Sequence, residues 1–275
     1  MAKVSTYRNG PGEKMHTIAL VPAAGLGRRL GGGCPKPYRH IGQRPIVSYP
    51  LRAIEECSEI NRIVIIVSPE EREFCEREII PACGLHKPYQ LVTGADERQQ
   101  SVYQGLLAVH EYVAHGEAEA SDIVVIHDAA RPFADGHMFR QSILEAKKFG
   151  ACIVGIPVRD TLKKVREEAG EIEETVSRSR LWMAQTPQSF RFDLIFKAHQ
   201  AALWDGFQGT DDSSLVERLG HAVKMIPGSF RNIKITYPED LDLAEKWLTE
   251  KGTGGRGEEC GQKVAGKANA DWSGI

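Results

Sequence analysis

The chain has 275 residues, 41% of them hydrophobic and 26% charged, with a formal net charge of -2. This is the composition of a globular protein able to bury one sizeable core, and its near-neutral balance excludes any general attraction to nucleic acid or an anionic membrane. No apolar run reaches bilayer length, the polar stretch Met1 to His16 lacks a signal-peptide core, and the six cysteines (34, 57, 75, 83, 152 and 260) form no CxxC pair and no zinc spacing. Those features point to reduced thiols in a cytoplasmic protein.

In chain order, residues 1–15 read as a disordered extension, 16–250 as a single domain and 251–275 as a disordered tail. Thr17 to Val21 is an apolar strand followed by a glycine-rich loop. A helix is predicted over Ile46 to Glu56, a β-branched strand over Arg62 to Val67 and a helix over Pro69 to Ile80. A short strand follows over Tyr89 to Val92, then a helix over Glu97 to His115 and a buried strand over Asp122 to His127. His137 to Phe149 reads as a helix and Ala151 to Ile156 as a strand. Such alternation predicts an α/β fold with parallel strands, right-handed crossovers and a sheet covered on both faces. Between about 157 and 180 the pattern breaks: Leu162, Val165, Ile172 and Val176 stand apart among charges, with a turn at Glu168-Ala169-Gly170. Either a projecting β-hairpin arm or a mobile surface loop fits that stretch. The alternating pattern resumes at Trp182 and ends on a helix over Pro238 to Thr249.

The strongest chemical signal is the loop after the first strand, Pro22-Ala23-Ala24-Gly25-Leu26-Gly27-Arg28-Arg29-Leu30, running on to Lys36. Small residues let backbone N–H groups approach an anion, and three nearby cations add charge, which is what a triphosphate requires. Two common fingerprints fail. Leu30 stands where GxGxxG needs its third glycine, and the Walker-like Gly261 to Gly266-Lys267 lacks both a preceding strand and the Ser or Thr. His127-Asp128-Ala129-Ala130-Arg131-Pro132 sits at a strand's C-terminal end, where open α/β sheets bind ligands. There Asp128 could hold magnesium or accept a substrate hydroxyl, or it could cap the next helix or pair with Arg131. His127 is assigned to structure. In Thr93 to Ser101, Asp96 or Ser101 could cap a helix or serve a ligand. Thr186-Pro187-Gln188, Thr210-Asp211-Asp212-Ser213 and Asn232-Ile233-Lys234 (the last placed before a strand end) each read as structural when taken alone.

As an ordered set, the strings PAAGLGRRL, CPKPY, HDAARP, PVRDT, LWMAQTPQSF, TDDSSLVE and NIKIT resemble the 2-C-methyl-D-erythritol 4-phosphate cytidylyltransferases of non-mevalonate isoprenoid synthesis, over about residues 16 to 250. The resemblance implies a Rossmann-like nucleotidyltransferase fold, a three-layer α/β/α sandwich with a mostly parallel sheet and a protruding hairpin arm. It implies CTP and a sugar-alcohol phosphate as substrates, magnesium as cofactor and a homodimer joined by exchanged arms. By motif position, Arg29, Lys36, Arg178 and Lys234 are the implied catalytic cations. Pro22, Ala23, Ala24, Gly25 and Gly27 are the implied phosphate cradle, with Ala95, Asp96, Ser101 and Ala129 contacting the nucleotide. Asp128, Arg131, Thr161, Arg178, Thr186, Thr210 and Lys234 are the implied substrate pocket, and Asp128 is a possible metal contact. Thr161 and Arg178, on the arm, would serve a neighbouring subunit. Pro37, Ala95 and Ser177 depart from the family's usual Gln, Gly and Asp. Ribitol 5-phosphate cytidylyltransferases share the chemistry, but Pro22-Ala23-Ala24-Gly25 and Leu181-Trp182 favour methylerythritol phosphate. A catalytically dead CTP-sensing module is disfavoured by the presence of Arg29 and Lys36.

Overall fold

The computed structural model describes residues 17–25, 35–167 and 170–253. The first half of the chain comprises β1 (Thr17–Pro22), a two-residue ladder of β2 (His40–Ile41) and β3 (Arg44–Pro45), α1 (Ser48–Glu56), β4 (Arg62–Val67), α2 (Arg72–Phe74), α3 (Ile80–Cys83), β5 (Tyr89–Thr93) and α4 (Arg98–Ala114). The second half comprises β6 (Ile123–Ile126), α5 (Gly136–Phe149), β7 (Ala151–Pro157), β8 (Leu162–Val165), β9 (Ile172–Val176), β10 (Trp182–Arg191), α6 (Phe192–Trp204), α7 (Asp212–Arg218), β11 (Lys224–Pro227) and α8 (Pro238–Thr253).

Seven strands form one sheet in the order β11-β7-β10-β6-β1-β4-β5. Its central strands are apolar at every position because both faces are covered. The two-residue period of a strand divides their side chains between two cores. Ala19, Val21, Ile63, Ile65, Ile123 and Val125 face one core, which α1 and α5 complete with Leu51, Ile54, Phe139 and Ile143. Ile18, Leu20, Val64, Ile66, Val124 and Ile126 face the other, completed by Val102 and Leu106 of α4 and Ile195 of α6. On that second face α4 lies so close that a Cβ on Gly105 would meet Ile66 Cδ1 at 2.8 Å. Asp135 caps α5 by accepting from Met138 N at 2.8 Å, and Gly150 ends that helix at φ 84°.

Several expectations are corrected. The helix predicted over Pro69 to Ile80 begins only at Arg72 and widens to a π-type turn over Cys75–Ile79 before α3. Pro81 has no N–H to offer the carbonyl four residues back, so a regular α-helix cannot continue through it. The mostly parallel sheet that the resemblance implies holds, and the one departure from the all-parallel pattern is β10, antiparallel between β6 and β7. Its ladder shifts between Ala184 and Gln188, where Pro187 cannot donate, and the Thr186–Pro187 peptide is cis. No strand forms at Asn232-Ile233-Lys234, which is irregular, and α8 extends four residues beyond Thr249. For residues 157 to 180 the hairpin reading holds. β8 and β9 pair antiparallel, Leu162 opposite Val176, with Lys163 Nζ donating to Thr175 Oγ1 at 2.6 Å. The extension 1–15, Glu168-Ala169, the tail from residue 254, Cys34, Cys260 and the Walker-like string lie outside the described residues. Among the described residues no helix is long and apolar enough to cross a membrane. The four described cysteines are free and buried, and burial raises every thiol, Cys75 and Cys152 to about 12.

Phe139 is fully buried and meets the His127 ring edge-on at 4.9 Å between centroids. Phe139→Ala should therefore cost about 3–5 kcal/mol of unfolding free energy in urea. Trp204, 91% exposed, should tolerate the same truncation within about 0.5 kcal/mol.

Candidate active site

Open parallel sheets bind ligands beyond the carboxyl ends of their strands, because loops diverge there and backbone N–H groups are left facing outward. A cleft of about 210 Å³ occupies that position. Pro22, Ala24 and Gly25 after β1, Ala95 and Asp96 after β5, and Asp128, Ala129 and Ala130 after β6 line it. Lys36 and Pro37, Arg98 and Ser101 of α4, and Lys234 complete the wall. The short 3-10 turn Lys36–Tyr38 is anchored by Val47 N donating to Pro37 O at 2.9 Å and by Tyr38 stacking edge-on to Phe74. Lys36 is thereby held on the rim by rigid neighbours.

The β1 and β5 loops are built against each other. A Cβ on Gly94 would lie 2.6 Å from Ala24 Cβ and 3.0 Å from Ser101 Oγ, so only glycine permits this contact. Ser101 Oγ accepts from Ala95 N and donates to Ala95 O, each at 2.9 Å, closing the loop on the first turn of α4. Neither Asp96 nor Ser101 caps that helix. Its N-cap is Glu97, which makes no side-chain cap.

The electrostatic centre of the cleft is Asp128, 9% exposed at its side chain. Arg98 Nε reaches its Oδ1 at 2.8 Å, Lys234 Nζ its Oδ2 at 2.8 Å, and Arg131 Nε lies 3.9 Å from Oδ2. Burial pushes this carboxyl up, but Arg98, Lys234 and Arg131 outweigh it and hold Asp128 well below the usual carboxylate range. The same guanidinium of Arg98 reaches Asp212 Oδ2 at 2.8 Å, and His199 Nε2 lies 3.3 Å from Asp212 Oδ1. Asp128 does not cap the next helix, which Asp135 caps, and its backbone N–H is engaged elsewhere. It donates to Thr186 Oγ1 at 3.1 Å, and Thr186 in turn meets His127 Nδ1 at 3.0 Å. His127 Nε2 is 3.1 Å from Arg131 O. With both ring nitrogens engaged and burial lowering its pKa to about 4, His127 is a neutral structural imidazole.

The structure thus gathers Pro22, Ala24, Gly25, Lys36, Ala95, Asp96, Ser101, Asp128, Ala129 and Lys234 around one cleft. Gly27, Arg28 and Arg29 lie outside the described residues. Ala23 does not offer its N–H to the cleft as a cradle would require. That group is spent on Ile66 O at 2.7 Å, continuing the β1–β4 ladder. Thr186 and Arg131 sit behind the wall: Thr186 supports Asp128, and Arg131 Nη1 donates to Asn232 O at 2.7 Å. Thr210 lines a neighbouring cleft of about 310 Å³ with Phe207 and Asp212, and Arg98 borders both clefts. Thr161 and Arg178 are exposed on the hairpin, where Arg178 Nη1 donates to Arg159 O, and neither lines this chain's cleft. The sequence reasoning missed Arg98, Asn232 and Gln185. Asn232 Nδ2 donates to Thr186 O at 2.8 Å and Gln185 Nε2 to Ser229 O at 2.9 Å, fixing the segment that carries Lys234.

A protein-held magnesium site does not fit this donor set. Both oxygens of Asp128 already face cations, and among the described residues no three His, Cys, Asp or Glu side chains gather to hold a metal. The metal contact expected at Asp128 is therefore not supported by its surroundings.

The pKa directions set a stability profile. His127 is depressed to about 4 from a usual 6.5, so the unfolded chain takes up this proton first as pH falls. Stability from this group is complete above pH 6.5 and lost between 6.5 and about 4, a loss of roughly 3 kcal/mol. Asp128 and Asp212 are also depressed, so their contribution is lost only below about pH 4, the ordinary carboxylate value. Urea titrations across pH 4 to 7 should show this slope, and His127→Gln should flatten it. An unchanged slope in that variant would assign the loss elsewhere.

The model of the 2-C-methyl-D-erythritol 4-phosphate cytidylyltransferase family matches residues 17–250. A curated relative bearing that name from Syntrophotalea carbinolica is 45% identical over 238 residues, covering 86% of this chain and 98% of the relative. Another from Caldanaerobacter subterraneus is 42% identical over 234 residues, covering 85% and 99%. Among solved structures, the 4-diphosphocytidyl-2C-methyl-D-erythritol synthase of Anaerococcus prevotii superposes with a TM-score of 0.73 at 28% identity, covering 85% of this chain and 96% of its own. The Thermus thermophilus 2-C-methyl-D-erythritol 4-phosphate cytidylyltransferase gives a TM-score of 0.67 at 30% identity, covering 86% and 100%. With a cleft at the sheet's carboxyl edge lined by Lys36 and Lys234 and a family match over residues 17–250, this chain belongs to the 2-C-methyl-D-erythritol 4-phosphate cytidylyltransferase family.

Proposed function

We propose that this chain transfers the cytidylyl group of CTP to 2-C-methyl-D-erythritol 4-phosphate, giving 4-diphosphocytidyl-2-C-methyl-D-erythritol and pyrophosphate. A phosphate oxygen of the sugar substrate forms a bond to the α-phosphorus as the bond from that phosphorus to the bridging oxygen of pyrophosphate breaks. The nucleophile is already ionised, so no general base is required, and the cleft is consistent with that: Asp128 is too weak a base to hold a proton near neutrality and His127 is sealed away. Positioning and charge neutralisation then carry the catalysis. Lys36 would meet the triphosphate beside the Ala24-Gly25 backbone, while Lys234 would meet the sugar phosphate. Arg29, by its motif position, would join Lys36. The loop Ala95-Asp96, folded by Ser101, would read the cytosine edge, and a small rigid pocket of this kind disfavours purines. Magnesium would arrive on the CTP phosphates and supply charge neutralisation there.

The observation that carries this reading is that Lys36, Lys234 and the small residues Ala24 and Gly25 line one cleft. The homodimer through exchanged arms is supported by Leu162, Val165 and Ile172, 36%, 51% and 61% exposed on a hairpin that no other element covers among the described residues. A partner's arm would bring Thr161 and Arg178 to the cleft.

Pyrophosphate release should be followed with CTP, magnesium and, separately, methylerythritol phosphate and ribitol 5-phosphate. The first is expected to turn over, and turnover of ribitol phosphate alone would contradict the reading. Lys36→Ala should lower kcat by about 100-fold or more with the melting temperature unchanged, because it removes charge and no core packing. Arg178→Ala should raise KM for the sugar phosphate far more than for CTP. Mixing Arg178→Ala with Lys36→Ala protein should restore part of the activity if the arms are exchanged.

A further inference from the structure

We infer that Arg98 is a positioning residue that fixes Asp128 in place, so that Lys234 can leave this carboxylate for the incoming substrate phosphate. The inference rests on the proposed reaction and deepens it. Among the described residues, Lys234 has only Asp128 as a side-chain partner, at 2.8 Å. A lysine locked to a carboxylate is a poor phosphate ligand unless the carboxylate is satisfied without it.

The surroundings of Asp128 supply that satisfaction from the opposite side. Arg98 takes Oδ1, leaving Oδ2 to Lys234. The guanidinium is itself clamped, because its Nη2 reaches Asp212 Oδ2 at 2.8 Å and Asp212 is 1% exposed in the first turn of α7. Burial lowers the tendency of Arg98 to keep its proton, but the two carboxylates outweigh it and the guanidinium stays charged. A third group stands ready at the oxygen that Lys234 would vacate. Arg131 Nε is buried without a hydrogen-bond partner and lies 3.9 Å from Oδ2. A small rotation would bring it into contact, so Asp128 would not be left with a bare buried oxygen.

The exchange is therefore balanced in charge. Before substrate enters, Asp128 is held by Arg98 and Lys234, and afterwards by Arg98 and Arg131, with Lys234 on the phosphate. Without the fork of Arg98, Asp128 would draw Lys234 more strongly and the sugar phosphate would compete for it less well. CTP would be affected little, since the proposed reaction places its phosphates against the Ala24-Gly25 loop and Lys36, and neither is among the ion-pair partners of Asp128 given above.

The test uses the full-length enzyme with whichever sugar phosphate turns over. Arg98→Lys keeps the charge but cannot bridge two carboxylates, and Asp212→Asn loosens the clamp while leaving Arg98 and the active-site groups in place. Arg98→Lys should raise the sugar-phosphate KM by about tenfold, equivalent to about 1.4 kcal/mol. Asp212→Asn should raise it by a smaller factor, and the CTP KM should stay within about twofold for both. Thermal melts establish that each variant is folded. If the folded variants raise both KM values equally, lower kcat alone or change nothing, Arg98 is only structural and the exchange is wrong, while the proposed reaction stands. A wild-type chain inert with every sugar phosphate would remove the reaction and the exchange together.

Discussion

A carboxylate at the end of a buried parallel strand must bring its counter-charges with it, because removing an ion from water costs several kcal/mol unless partners compensate. Asp128 meets that requirement three times over, with Arg98, Lys234 and Arg131 converging from α4, from the irregular segment before α8 and from its own loop. Each of these partners must be delivered by a different part of the chain. The packing of α4 on the sheet at Gly105, the clamp of Asp212 on α7 and the anchoring of Asn232 to Thr186 all serve that convergence. The cleft is thus organised by electrostatics, and the two apolar cores set the distances at which the electrostatics operate.

The same arrangement explains why Asp128 and His127 do not form an acid–base pair. A carboxylate with two close cations remains ionised, and a fully buried histidine with both nitrogens engaged remains neutral. Neither changes protonation during a reaction near neutral pH. Transfer between phosphates asks for no such change, only for charges held in fixed positions. The sealed His127 then serves Asp128 indirectly, by orienting the Thr186 hydroxyl that receives the Asp128 amide proton.

Much of the fold was legible because β1, β4 and β6 are apolar on both faces and the loops after them carry small or charged residues. The hairpin was readable from its spaced apolar residues. What escaped has physical causes. β10 contains Pro187 and departs from regular pairing there, so its sequence lacks a clean strand signature. α6 does carry buried residues at helical spacing, Phe192, Ile195, Ala198, His199 and Ala202, and that period could have revealed it. In the site, loop residues next to strand ends were identified because motif and strand end coincide. Arg98 was not, since its carboxylate partners lie 30 and 114 residues away and no local pattern joins them. Ala23 matched the motif, yet the sheet had already claimed its N–H.

The central claim concerns a shared counter-ion, and a crystal structure of the chain with magnesium, a non-hydrolysable CTP analogue and the sugar phosphate tests it most directly. The account predicts the triphosphate against Ala24, Gly25 and Lys36. It also predicts Lys234 Nζ on the sugar phosphate, Arg98 still on Asp128 and Arg131 Nε closed onto the vacated oxygen. Phosphates bound away from this cleft, or Lys234 still paired to Asp128 with the sugar phosphate held by other groups, would contradict it.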